Sequence, residues 1–205
     1  MKPPFWDQAC AELGSCDAVM ARLIAACGPI HLVARGDPFT TLARAIVGQQ
    51  ISVKAAASVW NRFDGVCREV TPQRVARMRI ETLRSCGLSQ RKAEYVKDLA
   101  RRFHSGEVDP THWSGRADEE IIEELVAVRG IGRWTAEMFL IFNLLRPDVL
   151  PVDDLGLVRG IEKNYRNGES VSRTEARQIG ESWRPWRTVA TWYLWRSLEP
   201  GTAEI

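Results

Sequence analysis

Apolar residues recur at three- and four-residue spacing along almost the whole chain, and no stretch alternates apolar and polar residues long enough to set up paired strands. That period buries one stripe of a helix and cannot serve the two-residue period of a sheet. The chain is therefore expected to be all-α. The spacing predicts helices over about 17–27, 38–49, 52–64, 72–78, 79–86, 89–104, 117–129, 133–145, 154–164, 172–182 and 185–198. Thr71-Pro72 and Arg184-Pro185 have the form of helix starts, and Gly87 and Gly130 fall where helix C-caps belong. Neither internal repeats nor low-complexity segments interrupt the pattern.

A chain of 205 residues can bury a substantial core, as one domain or as two lobes. Its formal net charge is only +2, so affinity for nucleic acid has to come from local patches. One patch is visible: residues 71–104 hold Arg74, Arg77, Arg79, Arg84, Arg91, Lys92, Lys97, Arg101 and Arg102 against Glu81, Glu94 and Asp98. Charge runs of this kind are most often solvated helix faces. The five cysteines are odd in number and include no Cys-x-x-Cys pair, which argues against a disulfide framework or a zinc knuckle and for a reducing compartment. Met1-Lys-Pro-Pro-Phe-Trp6 has no apolar core of a secretory leader, and no apolar run reaches membrane-spanning length. The expected location is cytoplasmic, in a bacterial cytosol or associated with its nucleoid, with no membrane partner.

The segment Leu125-Val-Ala-Val-Arg129-Gly130-Ile131-Gly132-Arg133-Trp134-Thr135-Ala136 reads as a helix end, a Gly-x-Gly turn and a new helix. Gly130 and Gly132 can take positive φ and carry no Cβ, so the chain can reverse tightly with its N–H groups uncovered. Those amides and the N-terminus of the helix opened by Arg133, Trp134 and Thr135 form a site for a phosphate oxygen. A contact of this kind positions DNA without reading its sequence. By itself a Gly-x-Gly is equally an αα turn. Downstream, Leu150-Pro151-Val152-Asp153-Asp154-Leu155-Gly156 places two aspartates at a helix start, where the helix dipole favours the ionised carboxylate.

Together these segments resemble the helix-hairpin-helix superfamily of DNA repair glycosylases. Its Gly/Pro-rich loop after the hairpin ends in a catalytic aspartate, and in the form Pro-x-Asp-Asp-Leu the second aspartate carries that role. The resemblance thus assigns catalysis to Asp154 and leaves Asp153 as the N-cap. Gly48-Gln49-Gln50-Ile51-Ser52 is similar to a turn of the DNA-3-methyladenine glycosylase II branch, in which the residue at the position of Gln50 fills the gap left by an extruded base. Gly87-Leu-Ser-Gln-Arg-Lys-Ala93 and Trp183-Arg-Pro-Trp186 extend the likeness over roughly residues 36–198. What it implies is a two-lobed helical fold with its active-site cleft between lobes, one built from 1–37 plus 146–205 and the other from 38–145, with the hairpin at about 125–136.

The resemblance also implies a chemistry. A flipped alkylated purine carries positive charge and is attracted to an electron-rich aromatic face. Trp134 and Trp195 match pocket positions, with Met138 beside them, while Gln50, Gly130, Ile131, Gly132, Arg133 and Thr135 match positions that contact DNA. Core packing accounts equally well for most of the eight tryptophans. Lyase branches carry a lysine nucleophile where this chain has Trp134, and the four-cysteine iron–sulfur cluster of the endonuclease III branch has no counterpart. The expectation is a monomeric, monofunctional glycosylase acting on double-stranded DNA containing alkylated bases of the 3-methyladenine and 7-methylguanine type. It needs no cofactor and no catalytic metal, and a structural Na⁺ or K⁺ at the hairpin carbonyls is compatible with the resemblance. Alternatives are a helix-hairpin-helix glycosylase for another damaged or mismatched base, and a non-catalytic DNA-binding protein.

Overall fold

The computed structural model describes residues 2–198. Among them the regular structure is helical throughout: α1 (Trp6–Cys16), α2 (Ala18–Cys27), α3 (Pro38–Gly48), α4 (Val53–Cys67), α5 (Pro72–Arg77), α6 (Ile80–Ser85), α7 (Gln90–Ser105), a 3₁₀ turn (Pro110–Gly115), α8 (Asp118–Val126), α9 (Arg133–Phe142), α10 (Leu155–Tyr165), α11 (Arg173–Glu181) and α12 (Arg187–Leu198). None of the described helices is long and apolar enough to cross a membrane.

Helix starts are set by side-chain caps. Asp17, Asp37, Ser52, Thr71, Ser89, Asp154 and Ser172 each accept a hydrogen bond from an otherwise orphaned amide in the first turn. Pro38 and Pro72 occupy first-turn positions whose N–H would have no partner. In α11 the cap is reciprocal, since Glu175 also accepts from the Ser172 amide.

Some expected boundaries shift. The helix expected over 117–129 ends at Val126, because Ala127 to Gly130 turn toward the hairpin; the one expected over 133–145 ends at Phe142. Helix α12 starts at Arg187, two residues after the proline expected to open it. Helix α1 was not expected: only Trp6, Ala9 and Leu13 are buried along it, a stripe diluted by Gly14 and polar neighbours.

The described residues form two compact units, one from the start through Ala34 together with Leu140 onward, the other Arg35–Phe139. The divisions fall at 34/35 and inside α9, instead of at 37/38 and 145/146. The end of α9 belongs with the first unit because the Phe142 ring stacks on Trp195 and meets Trp192 edge-on. In that unit α12 is almost wholly buried from Thr188 to Leu194 and packs against α2 and α10. Asp17 ties its two chain segments together: Oδ1 caps α2 while Oδ2 accepts from Tyr165 Oη and Trp183 Nε1. In the second unit α7 is central and packs against α3, α5 and α6. Phe39, Phe63, Leu83, Val96, Leu99 and Trp113 make its core.

Candidate active site

The carboxylate predicted to act chemically is held from two sides. Asp154 has an extended backbone and is itself the N-cap of α10, its Oδ1 accepting from Leu157 N at 2.7 Å. The same oxygen accepts from the indole Nε1 of Trp195, also at 2.7 Å. Asp153 is not the cap. It lies one residue before the turn that the cap geometry requires, is exposed, and pairs with Arg173.

Trp195 is in turn fixed by its neighbours. Phe142 stacks against one face with ring centroids 5.6 Å apart and planes 12° apart. Gly156 lies under the polar edge: a Cβ there would come within 2.9 Å of Trp195 Cδ1 and 3.0 Å of both Trp195 Nε1 and Asp154 Oδ1. A glycine inside a helix costs about 1 kcal/mol relative to alanine. Here it lets the indole reach the carboxylate. One turn on, Gly160 admits the α12 backbone at Leu194 in the same way. With one face covered and its N–H engaged, Trp195 is first of all the anchor of Asp154.

The hairpin belongs to the second unit. Gly130 has φ +86°, and a Cβ would stand 2.2 Å from the Tyr95 ring, so both backbone conformation and packing demand glycine. Gly132 differs from expectation. Its φ is not positive and a Cβ would meet nothing within 4 Å, so its small size serves to leave the approach to the backbone open. Ile131, between them, is buried with its amide donating to Val128 O.

Helix α9 follows directly. The Arg133 guanidinium makes a two-point pair with Glu119 (2.6 and 2.7 Å) and reaches the buried Glu137 at 3.0 Å. The bonds to Glu119 raise its pKa above the usual arginine value. Trp134 is 43% exposed, an uncommon state for so large a ring. Met138, one turn along, and Thr135 are half-buried.

The Gln49–Gln50 turn is built next to this hairpin. Gln50 is exposed with φ +57°, and Gln49 Nε2 donates to Gly130 O at 2.8 Å. Lys92 Nζ donates to Val47 O (2.8 Å) and Gln49 O (2.6 Å), and burial lowers its pKa from the usual lysine value. Much of the basic run is likewise occupied. Lys97 donates to Met78 O, and Arg101 and Arg102 pair with Asp98 and Glu107. Arg74, Arg77, Arg79, Arg84 and Arg91 remain exposed.

Gly156, Phe142, Gln49, Lys92 and Tyr95 were not among the expected site residues. A glycine in the first turn of α10 was a usable signal for Gly156, and Gln49 and Lys92 lie in segments that carry the family likeness; for Phe142 and Tyr95 the chain carries no local mark.

Residues 43–185 match the model of the HhH-GPD superfamily base excision DNA repair protein. The chain is 35% identical over 182 residues to DNA-3-methyladenine glycosylase 1 of Schizosaccharomyces pombe, covering 87% of this chain and 80% of that protein. Its fold is similar to the crystal structure of DNA-3-methyladenine glycosidase from Bacillus halodurans, with a TM-score of 0.88 and 36% identity over 98% of this chain and 92% of that one. It is also similar to the Schizosaccharomyces pombe 3-methyladenine DNA glycosylase in complex with abasic DNA, with a TM-score of 0.78 and 34% identity over 93% and 96% of the two chains. The chain belongs to the HhH-GPD superfamily of base excision DNA repair proteins.

Proposed function

We propose that this chain is a monofunctional DNA glycosylase that flips alkylated bases of the 3-methyladenine and 7-methylguanine type out of duplex DNA and hydrolyses their N-glycosidic bonds. The observation that carries this reading is the fixed carboxylate: Asp154 sits at a helix N-terminus with one oxygen held by Leu157 N and Trp195 Nε1. A carboxylate so oriented can stabilise charge that develops on a sugar without reorganising during the reaction.

Alkylation at N3 or N7 already makes the purine a good leaving group. The C1′–N bond breaks with its electron pair going to the purine, which loses its positive charge. Asp154 stabilises the oxocarbenium-like sugar and orients water; the water oxygen bonds C1′ and its proton is released. Trp134 offers an aromatic face to the cationic base. With tryptophan where a lyase needs lysine, no Schiff base forms at that position. The amides around Gly132 hold a phosphate, and Gln50 fills the gap in the duplex.

No protein-bound metal enters these steps. A structural Na⁺ or K⁺ at the hairpin would lie on carbonyls already in use, since Gly130 O accepts from Gln49 Nε2 and Val128 O from Ile131 N, each leaving one lone pair for the ion.

The test is incubation of the protein with duplexes carrying single alkylated bases, followed by assay of free base and of strand breaks before and after alkali. Free base with alkali-dependent breaks supports the reading. DNA binding without base release would make the chain a non-catalytic binder, and a borohydride-trappable complex would make it a lyase.

A further inference from the structure

Helix α7 touches both segments assigned to DNA contact. At its N-terminal end Lys92 Nζ bonds Val47 O and Gln49 O, carbonyls at the end of α3 that the helix leaves unsatisfied. These bonds hold the turn in which Gln50 adopts a left-handed backbone that costs free energy for a residue with a Cβ. One turn on, the Tyr95 ring lies against Gly130, and Asp98 Oδ2 accepts from Arg129 N at 3.0 Å. Glu94 pairs with the Arg129 side chain at 3.1 Å. The Gln49 amide closes the circuit on Gly130 O.

We propose that α7 is a brace fixing the Gln50 turn relative to the phosphate-gripping hairpin, with Lys92 as the positioning residue through which Gln50 acts. The inference rests on the glycosylase reading and deepens it. A residue that fills the gap must resist the return of the flipped nucleotide to its stack, so it has to be rigid with respect to the backbone contacts that set the register. Lys92 supplies that rigidity without touching DNA. Its ammonium satisfies two carbonyls at once, which methionine, of similar length but with no donor, cannot do.

The experiment combines Lys92→Met, Gln50→Ala and the double variant, measured by single-turnover excision from methylated duplexes and by the fluorescence of 2-aminopurine beside an abasic-site analogue, a signal that rises on unstacking. Each single variant is expected to lose about tenfold in rate and to leave affinity for undamaged duplex within about threefold. The double variant is expected to lose no more than Gln50→Ala alone, and Lys92→Arg to recover most of the rate. A lesion opposite an abasic site, already unpaired, should restore Lys92→Met toward the parent. A full rate in Lys92→Met, or losses that multiply to about a hundredfold in the double variant, would overturn the brace. Gln49→Ala breaks the circuit at its other side and gives the same test if Lys92→Met does not fold. Absence of base release by the parent protein would sink the glycosylase reading; the brace is then decided by the 2-aminopurine signal alone.

Discussion

Trp195 Nε1 donates to the same oxygen of Asp154 that accepts the Leu157 amide, both at 2.7 Å. One carboxylate oxygen thus caps a helix and anchors an indole, and a substitution at Asp154 can fail for structural or chemical reasons. Asparagine separates them, because it caps as well as aspartate but carries no charge. Asp154→Asn should abolish excision while leaving the melting temperature and abasic-duplex affinity close to the parent, since the charge acts in the transition state. Asp154→Ala should in addition lose about 1 kcal/mol of stability with the cap. Asp153→Asn removes only an exposed pair with Arg173 and should leave the rate within about twofold. An inactive Asp153→Asn beside an active Asp154→Asn would reverse the assignment.

Gly156 should be sensitive to the smallest possible side chain. Helix propensity alone favours alanine there by about 1 kcal/mol. The added Cβ would nonetheless meet Trp195 Cδ1 at 2.9 Å and drive the indole from Asp154. Gly156→Ala is expected to cut the single-turnover rate about tenfold or more. Trp195→Phe, which keeps a ring against Phe142 but removes the donor, should reproduce much of that loss. Alanine with a normal rate would mean that the carboxylate does not need the indole.

The helices were legible because their signals are local: the apolar stripe and a capping residue lie within one turn of each other, as in Ser89 for α7 or Asp37-Pro38 for α3. Asp154 and the hairpin were legible as family motifs. Their supports were not. The partner of Asp154 lies 41 residues away in sequence, and Gln49 and Gly130 are 81 apart. Arg133 shows the converse, a cation in a DNA-contact motif that its own helix and α8 neutralise through Glu137 and Glu119. Charge read along a sequence does not reveal which carboxylates fold against it.

The two hairpin glycines should part company on mutation. Gly130→Ala puts a Cβ into the Tyr95 ring at a left-handed φ and should destabilise the protein by roughly 1–3 kcal/mol. Gly132→Val meets open space in the free protein, so it should fold normally and weaken binding to all DNA sequences alike, the lost contacts being to phosphate. Filter binding on two unrelated duplexes checks this. Unchanged affinity in folded Gly132→Val would remove the phosphate grip.

Acid should loosen the hairpin through Asp98. Burial alone would raise its pKa, but the Arg129 amide and the Arg102 and Arg101 guanidiniums outweigh it and hold the carboxyl below the usual aspartate value. Because the folded value is depressed, the stabilisation is fully present above the unfolded value, about 3.9, and is lost as pH falls through the folded one. Hydrogen exchange at the Arg129 amide, corrected for its intrinsic pH dependence, should show protection falling below about pH 4. Asp98→Asn can still accept that amide but cannot titrate, so its protection should change less over the same range.

Substitution of Trp134 tests whether its ring senses charge on the base. Its exposed ring can offer a π-face to an alkylated, cationic purine, and a neutral lesion such as hypoxanthine gains less from that face. A cation–π contact contributes roughly 0.5–2 kcal/mol, so Trp134→Ala should slow excision of 3-methyladenine about two- to thirtyfold more than excision of hypoxanthine. Trp134→Phe keeps a smaller, weaker face and should fall between. Loss of shape alone would lower both activities together. Single-turnover rates on paired duplexes that differ only in the lesion decide it: equal losses would make Trp134 a wall of the pocket, and a loss confined to the charged base would make it the residue that selects alkylation damage.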